Sequence, residues 1–149
     1  MWSGGFLGRG APLGADLNLV LEIVLGVVLL AGMMLARRGW YRGHGACQSI
    51  VYVSVVVLTF VWMVPSLHDN YGPSLVAGVM NRVNVAVAAH IVVGTIALLM
   101  GAWVVLVAGT PVIPARFRFQ NYKVWMRTLL ALWWLAILLG LATYILATT

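Results

Sequence analysis

Residues 46–67 read ACQSIVYVSVVVLTFVWMVPSL, a run with no charge in it. About 20 apolar residues in a helix cross the roughly 30 Å of hydrocarbon in a bilayer, so this stretch reads as a transmembrane helix. Three more runs flank it. Residues 17–36 are apolar apart from Asn18 and Glu22, residues 83–107 are uncharged and lead to Pro111 and Pro114, and residues 128–145 complete the set. All are too long for strands of a small barrel, which come as about 10 alternating residues each. The fold expected is an all-α integral membrane protein with helices over about 17–37, 46–67, 83–108 and 124–146. They make a four-helix transmembrane domain at 17–147, behind an irregular Gly-rich lead at 1–16.

The whole composition agrees. Of 149 residues, 63% are hydrophobic and 8% charged, whereas a soluble domain carries about 25% charged residues to face water. Nine Lys and Arg against three acids give a net charge of +6. These charges fall in short clusters rather than along the continuous basic face of a nucleic-acid binder, so no nucleic-acid partner is expected. The single cysteine, Cys47, excludes an internal disulfide and any multi-cysteine metal or iron–sulfur centre. The first run is also too long for the apolar part of a cleavable signal peptide, and its positive charge follows it.

Basic residues orient the spans. Arg37, Arg38 and Arg42 lie between the first two runs, and Arg116, Arg118, Lys123 and Arg127 lie between the last two. Arg9 and Arg82 are the basic residues of the opposite face. Both basic loops are therefore expected in the cytoplasm and both termini outside, in a multi-pass protein of the cell's inner membrane. Tight connections make sequential helices antiparallel neighbours, an up-down-up-down bundle. Ala97 with Gly101, and Ala136 with Gly140, are small-xxx-small pairs that let helix backbones approach. Trp40, Trp62, Trp103, Trp125 and Tyr122 fall near helix ends, where amphipathic rings prefer the interface. Arg37, Arg38, Arg116, Arg118 and Lys123 suit contact with anionic lipid or a partner.

Polar groups at membrane depth carry the functional signal, because each costs several kcal/mol if unpaired. Glu22 lies about one and a half turns into the first helix, with Asn18 on the same face. It either accepts hydrogen bonds from a neighbour or serves as a ligand or proton relay. His90 lies about two turns into the third helix, and His68 closes the outer end of the second, followed by Asp69. Glu22, His68 and His90 thus come from three helices to one half of the bundle. Two His and a carboxylate suit copper, iron or zinc, and two His suit the iron of haem b. Depth opposes the pairing: His90 is about 10 Å deeper than His68 at 1.5 Å per residue. They meet only if the second helix extends further or the third starts later. His44 falls in the cytoplasmic loop. No Walker loop, HExxH, GxSxG or CxxC is present, so no enzyme is expected.

Taken together, Leu17-Asn18-Leu19, the loop from Arg37-Arg38 to His44, His68, Arg82 to His90, Phe117 to Arg127, and Trp133 to Gly140 with Tyr144 resemble a known family. They are similar to the small bacterial membrane proteins called domain of unknown function 420, over most of residues 17–145. That resemblance implies a four-helix membrane protein linked to assembly of haem–copper terminal oxidases, with recurring histidines at His44, His68 and His90. Asn121 stands where the family has a fourth histidine, and Ala131 stands near the place of its helix-4 proline. The first function expected is an accessory or assembly subunit of a respiratory membrane complex, handling copper or haem through His68 and His90. A small b-type cytochrome with His90 as an axial ligand is the second. A purely structural subunit of a larger membrane complex is the third. All three take the lipid bilayer as a partner, and other membrane subunits are implied.

Overall fold

The computed structural model describes residues 4–109, 114 and 121–149. Four helices account for most of them: α1 (Leu13–Arg37), α2 (Tyr41–Val76), α3 (Arg82–Gly109) and α4 (Tyr122–Ala147). Each is long and apolar enough to cross a membrane, and no strand occurs among the described residues. The lead folds against α1, which starts at Leu13, four residues before the apolar run. Pro12 precedes that start, with its fixed φ of −66°. Asp16 sits in the first turn, where the helix dipole favours a negative charge.

A three-residue turn joins α1 to α2. Gly39 takes φ +80° there, and the amides of Gly39 and Trp40 donate to the carbonyls of Ala36 and Leu35. This is the left-handed glycine closure of a helix end, which a side chain would strain. Its tightness sets His44 inside α2 rather than in a loop. The His44 Nδ1–H donates to the Gly32 carbonyl at 2.8 Å. One turn on, Cys47 Sγ donates to the Val28 carbonyl at 3.4 Å and Gln48 Nε2 to that of Leu29 at 3.3 Å. Three side chains at helical spacing thus pin α2 along the backbone of α1.

The packed centre of the bundle is built from Leu29, Val51, Val55, Ala97, Trp133 and Ile137, at least one from every helix. Glycines admit the close approach, since a methyl group on Gly101 would lie 2.9 Å from Tyr52 Cε2 and one on Gly26 2.7 Å from Ile137 Cδ1. In lipid, such shape fit holds helices together in place of a hydrophobic drive. Packing is most extensive between α3 and α4 and between α1 and α2, and α4 closes onto α1. Among neighbouring helices it is sparsest between α2 and α3.

α2 differs most from its sequence expectation. It does not stop at Leu67 but continues to Val76, through π-helical turns at Thr59–Met63 and Leu67–Tyr71. Each turn lies just ahead of a proline, Pro65 or Pro73. A proline has no N–H for the helical ladder and clashes with the carbonyl four residues back, and a widened turn accommodates both faults. Side chains satisfy carbonyls in these stretches: Thr59 Oγ1 donates to Val55 at 2.8 Å and Asn70 Nδ2 to Ser66 at 2.9 Å. Beyond Leu58 the backbone of α2 draws away from the other helices, while Trp62 reaches back onto Gly14 of α1 and Ser74 bonds Asn84 of α3. The α2–α3 turn is closed by Gly78 at φ +71° and by Asn81, whose Oδ1 accepts from the Asn84 amide at 2.7 Å as an N-terminal cap.

Candidate functional site

Where the α2 backbone draws away, the four helices line a half-open chamber of about 1080 Å³. Its base is the packed centre at Val55, Ala97 and Trp133, and residues of the lead, the α2–α3 turn and the end of α4 line its far end. The inward stripe of α1 explains how Glu22 reaches it. Asp16, Leu19, Glu22, Gly26, Leu29 and Gly32 are the buried positions, three or four residues apart. Glu22 is 7% exposed, so it lies between helices instead of reaching back to the interface. Asn18 Nδ2, four residues earlier, donates to Glu22 Oε1 at 3.2 Å.

His90 approaches from α3. Its Nδ1 lies 2.9 Å from the Ala136 carbonyl on α4. A carbonyl only accepts, so Nδ1 carries the proton and the neutral ring keeps a lone pair on Nε2. The two polar groups meet over Gly140. A methyl group placed there would lie 3.0 Å from Glu22 Oε2, 3.1 Å from His90 Cε1 and 3.3 Å from His90 Nδ1. Glu22 and the imidazole are therefore within about 6 Å of each other, and the missing side chain of Gly140 is what leaves them room. Ala136 and Gly140 carry the signature of helix packing in the sequence. In the structure, one supplies a carbonyl to His90 and the other the gap beside Glu22.

His68 does not join them. The extension of α2 that could have carried it inward takes it outward, because that half of the helix leaves the bundle. His68 is 87% exposed, with its Nδ1 2.9 Å from the carboxylate of its neighbour Asp69, and it does not line the chamber. Copper or haem b held jointly by His68 and His90 therefore does not fit this arrangement. The set of Glu22, His68 and His90 does not close either: among the described residues no group of three His, Cys, Asp or Glu is placed to hold a metal ion. A cytochrome with paired histidines on facing helices has no second ligand in His68.

Asp16 and Tyr144 are functional candidates that sequence reasoning passed over. Asp16 is 1% exposed. Tyr144 of α4 donates its hydroxyl proton to Asp16 Oδ1 at 2.5 Å, and the Leu7 amide donates to Oδ2 at 2.7 Å. One carboxylate thus ties α4 and the lead to the start of α1, holding Arg9 and Gly10 against the chamber. The Asp16–Glu22 spacing places both acids on one stripe, and that was the available signal.

Of the basic residues read as lipid or partner contacts, Arg37, Arg38 and Lys123 are exposed at helix ends. Arg116 and Arg118 lie outside the described residues. Asn121 immediately precedes α4, and its carbonyl accepts from the amides of Val124 and Trp125. No family model, curated protein or solved structure matches the chain.

Proposed function

We propose that this protein is a non-enzymatic accessory subunit of a bacterial respiratory membrane complex of the haem–copper oxidase kind. Its own task is to hold a small molecule from the lipid phase in the chamber between its helices. The observation that carries this reading is the meeting of Glu22 and His90 over Gly140 on the wall of a chamber of about 1080 Å³. A cavity of that size with a few convergent polar groups is the usual form of a small-molecule site.

The proposed topology is up-down-up-down in the inner membrane, with the chamber in the outer half, both termini outside and the basic helix ends in the cytoplasm. The resemblance to oxidase assembly proteins supports the complex, as do outward apolar side chains such as Phe60, Val61 and Leu99, each about 70% exposed and fit for lipid or a neighbouring subunit.

Gentle solubilisation of native membranes and capture of the tagged chain tests this. Haem–copper oxidase subunits are expected in the eluate, and a chain that always migrates alone overturns the accessory role. A purely structural subunit would tolerate Gly140→Leu without loss of complex activity, whereas the chamber reading expects that loss in a complex that still assembles.

A further inference from the structure

The chemistry at the chamber head selects its occupant. Three groups there offer electron pairs. His90 donates its Nδ1–H to the Ala136 carbonyl, so Nε2 of the neutral ring accepts. Glu22 presents Oε2 beside Gly140, while Oε1 is engaged by Asn18. Asn18 lines the chamber too, and its Oδ1 is buried with no hydrogen-bond partner among the described residues. A buried acceptor left unpaired costs about 1–3 kcal/mol, and native structures rarely leave one without a reason. The missing complement is a set of donors.

The rest of the chamber sets the other requirement. Leu19, Val87, Ile91 and Ile137 give it apolar walls, and Trp62 and Trp133 contribute aromatic surface. Of the helix pairs that neighbour around the bundle, α2 and α3 pack least, and both line the chamber, which gives a molecule dissolved in the bilayer a lateral way in. A hydrated cation or sugar would lose its water against these walls. An amphiphile with a planar hydroxylated head and an apolar tail would not.

We propose that the chamber binds a lipid-soluble hydroquinone, its two hydroxyl groups donating to two of the acceptors offered by His90, Glu22 and Asn18 and its tail lying between α2 and α3. This rests on the reading of the chamber as a small-molecule site and names the class of molecule. It is a binding proposal, with no transfer of electrons or protons. The oxidised quinone has carbonyls in place of hydroxyls and brings no donor, so the site distinguishes the two forms.

The test uses the full chain in phosphatidylcholine nanodiscs, with quenching of tryptophan emission as the readout. Three probes of nearly equal size are titrated: a decyl-substituted benzohydroquinone, its dimethyl ether and the corresponding quinone. The hydroquinone is expected to bind about tenfold more tightly than the ether or the quinone, the value of one to two net hydrogen bonds. Asn18→Leu and His90→Leu are each expected to shrink that preference for hydroquinone over ether to about threefold or less. Since His90→Leu also removes an interhelical hydrogen bond, Asn18→Leu and the probe comparison in the unaltered protein carry the test if that variant fails to fold. Equal binding of hydroquinone and ether overturns the ligand class and leaves the chamber a receptor for something else. Quenching by all three probes that is the same in Gly140→Leu as in the unaltered chain overturns the receptor reading itself.

Discussion

Around Val51, Ala97 and Trp133 the bundle is filled, and around Glu22 and His90 it leaves a half-open chamber, although the same four helices build both halves. In the filled half every gap is taken by a neighbour: Tyr52 packs against Gly101, Ile137 against Gly26, and three α2 side chains bond the backbone of α1. In the open half, α2 has passed two π-helical turns and stands apart, and Gly140 faces a carboxyl and an imidazole instead of a side chain that fills it. Helices in lipid gain little from merely coming together, so they stay in contact only where their surfaces fit. Where the fit ends, polar side chains line the open space instead.

That contrast can be broken from either side. Trp133→Ala removes a buried indole from the filled half, and its loss is expected to cost about 3 kcal/mol. Urea or dodecyl sulfate titration in mixed micelles, followed by circular dichroism, measures it, and a cost below that of the other changes described here would mean that the centre is not tightly packed. Gly140→Leu acts on the open half, where the new side chain must displace Glu22 and His90. It is expected to destabilise by ~2 kcal/mol, as overpacking does, and to abolish amphiphile binding. Unchanged binding in this variant would place the ligand elsewhere.

The lead marks a finer division. Tyr144→Phe removes the hydroxyl bond to the Asp16 carboxylate and leaves it the backbone amides of the lead as partners. The effect stays local, so the melting temperature should hardly move while trypsin cuts after Arg9 roughly tenfold faster, because cleavage follows the open fraction of the segment. An unaltered cleavage rate would show that the lead is held by other contacts. His68→Ala is the smallest change of the series. An exposed pair with Asp69 contributes almost nothing, so stability, assembly and amphiphile binding should all stay within error. Loss of assembly in this variant would restore His68 as a functional residue at the surface.

The site was only half legible in the sequence. Glu22 and His90 stand out because a carboxyl and an imidazole are costly at membrane depth, and that cost is a property of the residue and its place in an apolar run. Gly140 and Ala136 do not stand out, since a small residue looks the same whether it admits a neighbouring helix or makes room for a polar group. Asp16 was hidden by its position in a stretch that read as an irregular lead. His68 was credited with a partner across the bundle because sequence separation gives depth along a helix but not the direction in which the helix leans.

The amino-acid order by itself determined that there are four membrane-length helices, since hydrocarbon thickness and the need to satisfy backbone groups act on each run independently of the others. Where α2 ends, which of its two halves packs and which side chains meet across the chamber were decided by tertiary structure alone. Those outcomes depend on how proline-widened turns redirect one helix and on whether neighbouring surfaces fit, and both are properties of pairs of helices that no single run contains.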